Sequence, residues 1–316
     1  MSKPFTITIK RKSALKALGL LLIAVIAFNQ LFTLTFAVHP KIKLTSKNQN
    51  NQNQAVASNN EIDLDLLRSQ VLPAEGVTLP ITWGDLGKRM IADGVIDEEK
   101  FRKVFPNGLE SDEELILNGN YDQQIVMTAE NSRFLLDILW AFGLANKNDI
   151  LENGEMTDKK YGGDASKFAA TGGWSLSSGK PMDHYSQHEY VSLNKEQQDL
   201  VDRVSRGIYR PCCGNSTHFP DCNHGMAMLG LLELLAAEGL SEEEIFQVAL
   251  QVNSYWFPQT YVDLATYFKE QGSDWKDVDP KMVLAAEYSS GKGYQQTRQS
   301  IKSLPQPVKG GGSCGA

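Results

Sequence analysis

Three of the four cysteines and two of the five histidines of this 316-residue chain fall between Cys212 and His224. The run reads Cys212-Cys213-Gly-Asn-Ser-Thr-His218-Phe-Pro-Asp-Cys222-Asn-His224. Thiolates and imidazoles are the ligands of soft and borderline ions, so the chemistry on offer is binding of Zn or Cu. Pro211, Gly214 and Pro220 make the segment a loop. The spacing matches no standard zinc finger. Helix register decides which ligands can meet. Two residues apart on a helix means about 200° of rotation, so Cys222 and His224 would diverge if the helix began at Cys222. If Asn223 is the cap, Cys222 stays in the loop and the two can converge. The expected set is Cys212 or Cys213 with Cys222 and His224, and His218 in reserve.

The apolar stretch Met226–Ala237 starts directly behind this loop and reads as the central core helix. Met226 offers a thioether to the same ion. Glu233 is the stretch's one charged residue. It is expected at the helix margin, with a buried carboxylate facing the cysteines as the alternative. His184-x-x-x-His188 is a second pair, which on a helix would share one face and hold or complete a metal site. Otherwise it is two exposed imidazoles in a polar loop.

Other chemistries compete for the same thiols. Vicinal Cys212 and Cys213 can form a strained, reducible disulfide, Cys222 beside a helix N-terminus would have a lowered pKa, and Cys314 would be the resolving thiol of an oxidoreductase. The sequence Lys-Gly-Gly-Gly-Ser-Cys314 reads as a mobile arm. Its layout is similar to the C-terminal cysteine arms of certain flavin disulfide reductases, which implies shuttling of electrons or metal, though no Gly-rich dinucleotide motif is present. Phe219-Pro-Asp-Cys222 running into an apolar helix resembles papain-like cell-wall peptidases, which implies a cysteine nucleophile. Those enzymes place their histidine downstream, whereas here the base would be His184, His188 or His218.

The elements that must position these residues are helices. Thr82 with Asp85 predicts a capped helix through Leu86, Met90 and Ile91 to Gly94. Asp97 starts a short one ending before Pro106. Thr128 caps a long helix bearing Phe134, Leu135, Ile138, Leu139 and Phe142, with Gly143 near its end. Asn194 caps Lys195–Gly207, and Ser241 with Glu244 forms a capping box before Ile245. Pro258 interrupts, Gln259–Gln271 follows, and Asp279-Pro280 opens Met282–Tyr288. Tyr255-Trp256-Phe257 reads as core. Ile125-Val126-Met127 is the best strand candidate, and residues 153–190 read as a long irregular region. The fold class is therefore mainly α.

Residues 1–60 hold Lys3, Lys10, Arg11, Lys12, Lys16, Lys41, Lys43 and Lys47 and none of the 38 acidic side chains. The remainder is distinctly acidic, which argues against nucleic acid as a partner. No nucleotide motif is present. Residues 17–38 carry no charge and match the length of a bilayer-spanning helix, after a basic segment at 1–16. The expected organisation is a signal anchor at 17–38, an Asn/Gln-rich tether at 39–60, an extracytoplasmic helical domain at 61–304 and a flexible tail at 305–316. A cleaved signal peptide is the competing reading. Expected partners are the membrane, a metal ion and a protein exchanging metal or thiols. Deleting residues 310–316 is expected to leave thermal unfolding unchanged and to slow thiol or metal exchange. Loss of folding would mark Cys314 as a structural staple.

Overall fold

A computed structural model describes residues 62–308. The proposed anchor, tether and Cys314 lie outside the described residues. Contacts divide the chain into residues 1–59 and 60–316, and the described residues all belong to the second unit.

Helices dominate. In chain order they begin with α1 (Leu64–Val71), then β1 (Val77–Leu79), α2 (Leu86–Ala92), α3 (Glu98–Lys103), α4 (Ser111–Asn118) and β2 (Ile125–Met127). The two strands pair antiparallel, Val77 opposite Met127 and Leu79 opposite Ile125. Next come α5 (Ser132–Ala145), α6 (Asp149–Asn153), α7 (Ala169–Gly172), α8 (Lys195–Ser205) and α9 (Asn223–Ala237). The last group is α10 (Glu242–Trp256), α11 (Pro258–Glu270), α12 (Pro280–Leu284), α13 (Ala286–Ser289) and α14 (Gly291–Arg298). Among the described residues no helix is long and apolar enough to cross a membrane.

Capping explains most of these boundaries. Asp97, Asn194, Ser241 and Asp279 each accept a backbone N–H from the first turn of the helix behind them. Two sites differ from expectation. Thr82 does not cap α2; Asp85 holds the cap position without a side-chain bond, and the Thr82 N–H donates to Glu238 instead. Thr128 and Asn131 bond each other's backbone N–H, so α5 starts at Ser132. The segment after Pro280 breaks at Ala285 into α12 and α13. Pro258 opens α11 at its first position, so the interruption is a corner between two helices.

The core is organised on α5 and α9, both buried almost all round. They cross at glycine. A Cβ on Gly143 would stand 2.2 Å from the Met226 carbonyl oxygen, and one on Gly230 would stand 2.9 Å from the Gly143 Cα. Backbone therefore meets backbone, which only two glycines permit. Gly143 lies inside α5 and sets this approach; it is not an end signal. Tyr255 and Trp256 are core residues, and the Trp256 indole N–H donates to the Ser132 carbonyl at 3.1 Å.

Glu233 is fully buried, so it does not sit at the helix margin. It also does not face the cysteines. Its carboxylate accepts the Asn146 side-chain N–H at 2.5 Å, and nine residues along α9 separate it from His224, about 14 Å at 1.5 Å per residue. Burial holds its pKa well above the usual carboxylate range.

Gly143→Ala is expected to destabilise the domain by on the order of 3 kcal/mol in denaturant unfolding, because the added methyl overpacks a backbone contact.

Candidate metal centre

The loop between α8 and α9 is built around Arg210, whose side chain is 2% exposed. A buried guanidinium must have its donors met. Its Nε–H donates to the Cys222 Sγ at 3.0 Å. One terminal nitrogen donates to the Asn215 carbonyl at 3.1 Å. The other donates to the Phe219 carbonyl at 3.0 Å and to the Asp221 carboxylate. Asn215 in turn donates to the second oxygen of Asp221 at 2.9 Å. The loop is thus wrapped on one cation, with Asp221 as its counter-charge. Gly225 makes the room: a Cβ there would lie 2.6 Å from the guanidinium.

Neighbouring elements clamp the loop from outside. The Gly291 N–H, at the start of α14, donates to the Cys213 carbonyl at 2.7 Å. The Asn253 side chain of α10 donates to the Tyr209 carbonyl at 3.1 Å. The irregular region contributes as well. The Ala170 N–H donates to the Asp221 carbonyl, and Phe219 packs against Tyr161 and Phe168 with ring centroids 4.8 and 5.2 Å away.

Within this frame Cys212, Cys222 and His224 each place a ligand atom within 4.8 Å of the others. Cys213, Asp221 and Cys222 form a second such group. Cys222 belongs to both. The observed register falls between the two that the sequence left open. Cys222 itself is the cap, with extended backbone at φ −127° and ψ 168°, and Asn223 is the first helical residue. Because Cys222 is outside the helical rotation, its thiol folds back towards His224. The Sγ atoms of Cys212 and Cys222 are 3.6 Å apart. Two thiolates bound at ~2.3 Å to one tetrahedral ion stand roughly 3.8 Å apart, and a disulfide needs about 2.05 Å. The spacing is that of a shared ion. The cluster can hold a metal ion.

His224 is the deepest member, with no exposed surface. Its ring is wedged against Phe257 and Trp256, with centroids 4.4 and 5.8 Å away. Neither ring nitrogen makes a hydrogen bond of standard geometry, though the Cys222 thiol lies close enough to interact with the ring. A buried imidazole left so costs free energy unless something else takes its lone pair. Cys222 is half-buried and Cys212 faces solvent, so the ligands form a graded path inward.

The electrostatics separate the thiols. Hydrogen bonds from Cys212 and Cys213 hold Cys222 well below the usual thiol range against the opposing effect of burial, and Arg210 adds to this. Cys212 is pushed up by its hydrogen bonds to Cys213 and Cys222. Negative charge therefore gathers on Cys222, next to the guanidinium.

The other candidates go elsewhere. Both nitrogens of His218 are engaged: Nδ1 lies 2.5 Å from Glu155, and Nε2 lies 3.2 Å from Asp202 and 2.7 Å from Arg206. It serves as an ion-pair hub, and the reserve role is not realised. His184 and His188 contact each other, the Ser178 carbonyl and Asp93, none of which belongs to the cysteine loop. The long region does fold over the loop, but through Glu155, Tyr161, Phe168 and Ala170. Met226 is buried on α9 with its backbone against Gly143. None of the expected general bases is hydrogen-bonded to Cys222. Sequence reasoning passed over Arg210, Asp221 and Gly225. The available signal was an arginine two residues before the cysteine pair, next to an apolar helix.

Compared with known protein families, characterised proteins and solved structures, the chain matches none.

Arg210→Lys is expected to lower stability by on the order of 3 kcal/mol in denaturant unfolding, since an ammonium cannot reach four acceptors and leaves a buried pair broken. An unchanged midpoint would remove Arg210 as the loop's organiser.

Proposed function

We propose that this protein binds a soft or borderline transition metal, Zn or Cu, through Cys212, Cys222 and His224, and serves in metal capture or handover. The observation that carries the reading is His224. It is fully buried, neither ring nitrogen makes a hydrogen bond of standard geometry, and one of them lies within 4.8 Å of two thiols whose separation suits one ion. Three protein ligands leave a fourth position, which Cys213, a water or a partner's thiol can take. Exposed Cys212 is the natural point of exchange, because a ligand at the surface is the first to be traded. With an anchor at residues 17–38 this site would work outside the cytoplasm. Thiols oxidise there, and a bound metal protects them.

A second reading rests on the same thiol pair. Cys222, beside Arg210 and facing Cys212 at 3.6 Å, is placed to form a disulfide with Cys212 when a partner's disulfide accepts the two electrons and is released as two thiols. This favours a Cys212–Cys222 couple over the vicinal Cys212–Cys213 bond.

The two are separated by elemental analysis of the chain purified without chelator, with free thiols counted on the same sample. The metal reading expects near-stoichiometric Zn or Cu, thiols protected until chelator is added, and loss of metal in Cys222→Ser and His224→Ala. A metal-free protein in which Cys212 and Cys222 are oxidised together would overturn it and support the redox reading.

A further inference from the structure

Two of the three proposed ligands can also react with each other. The Cys212 and Cys222 Sγ atoms stand 3.6 Å apart, and closing them to a bond of about 2.05 Å needs a shift of roughly 1.5 Å. Ion and bond compete for the same sulfurs, because a thiolate spent in a disulfide is no longer a metal ligand. Position decides which sulfur moves. Cys222 is anchored at the start of α9, where its carbonyl accepts the Met226 N–H at 2.9 Å and its Sγ accepts the Arg210 Nε–H at 3.0 Å. Cys212 lies in the loop and faces solvent. An incoming disulfide therefore meets Cys212 first, and Cys212 is the sulfur free to swing.

The rest of the loop does not depend on those two sulfurs. Of the four acceptors around Arg210 only one is a thiol; the Asn215 and Phe219 carbonyls and the Asp221 carboxylate are untouched by oxidation. The Thr217 N–H and hydroxyl both donate to the Ile208 carbonyl, at 2.8 and 3.0 Å, and the Gly291 N–H holds the Cys213 carbonyl. The Cys213 sulfur turns towards the Asn215 carbonyl at 3.9 Å, and its ligand group includes Asp221 but not His224. Among the described residues no fourth Cys, His, Asp or Glu places a ligand atom within 4.8 Å of Cys212, Cys222 and His224 together. Once the two thiols are joined, His224 is the one ligand left, fixed against Phe257 and Trp256. A single imidazole is too few ligands to retain the ion.

We propose that the centre is redox-gated: it takes metal only while Cys212 and Cys222 are reduced, and a disulfide between them, made by a low-molecular-weight disulfide, closes it while the domain stays folded. The inference rests on the metal reading of Cys212, Cys222 and His224. In the metal-free chain the Cys212 thiolate attacks one sulfur of the oxidant, whose other half leaves as a thiolate. The Cys222 thiolate then attacks the Cys212 sulfur of this mixed disulfide, and the second half leaves. The chain has lost two electrons, the oxidant has gained two, and the two released thiolates take protons according to the pH. Two thiols reverse the step. The exclusion is mutual, so a bound ion in turn shields the pair from the oxidant. Cys213 stays a free thiol in both states.

The test uses the full chain, reduced with a phosphine and freed of metal with chelator. One portion is treated with oxidised glutathione and its disulfides are mapped by mass spectrometry; both portions are then dialysed against Zn(II), an ion without redox chemistry of its own. The reduced chain is expected to bind one equivalent. The oxidised chain is expected to carry a Cys212–Cys222 bond, to bind no zinc, to unfold in one cooperative transition, and to regain the equivalent on re-reduction. Zinc loaded beforehand should slow the release of glutathione by about tenfold or more, because a thiolate held by an ion is not free to attack. Cys213→Ser should change none of this. No disulfide formed, a bond that pairs either cysteine elsewhere, zinc still bound after oxidation, or loss of the cooperative transition would overturn the inference and leave the metal reading standing. A reduced chain that binds no zinc would overturn both.

Discussion

A guanidinium enclosed by protein is a demand that the rest of the chain must meet. Arg210 meets it by drawing two loop carbonyls, one carboxylate and one thiol around itself. Those four acceptors come from residues 215, 219, 221 and 222, so satisfying one side chain fixes the path of most of the loop. The same geometry sets the chemistry. Cys222 is drawn in as an acceptor and is thereby oriented and brought to face both Cys212 and His224. A neutral side chain at position 210 would leave the loop free to take many paths, each of them a different arrangement of thiols.

Arg210 can be enclosed only because the floor beneath it is rigid. Gly225 admits the guanidinium against the first turn of α9, and the Gly143–Gly230 crossing holds α9 against α5 with no side chains between the backbones. Phe257 and Trp256, at the corner where Pro258 turns α10 into α11, close the pocket on the far side of His224. The imidazole is therefore held chiefly by aromatic packing, with the Cys222 thiol nearby. Apolar side chains are what make its lone pairs available.

The two other histidine environments show how the same residue type is put to different uses. His218 sits between Glu155, Asp202 and Arg206, and its two ring nitrogens tie the loop to α8 and to the long irregular region. His184 and His188 have their outer nitrogens tied and their inner nitrogens directed at each other. In the first case carboxylates absorb the imidazole; in the second the two imidazoles absorb each other. Only the neighbours distinguish the cases.

Much of this was legible in the chain itself. The helical class, the caps at Asp97, Asn194, Ser241 and Asp279, and the central helix behind the cysteines all follow from local rules: an oxygen side chain ahead of an apolar period of 3.6. The chemical character of the site followed from residue types, since thiols and imidazoles within 13 positions can meet over a short loop. The capping residue of α9 was beyond local rules. Asn223 is a better cap than cysteine by propensity, and tertiary contacts to Cys222 override it. Arg210, Asp221 and Gly225 were invisible as a unit because their relation is an enclosed charge, which is defined by burial and not by spacing. Glu233 was placed wrongly for the same reason: its partner Asn146 lies 87 residues away, just past the end of α5. The sequence by itself determined which ligands exist and on which kind of element they sit. Only the tertiary structure decided which of them meet, because that depends on where buried charges find partners and where two glycines let helices touch.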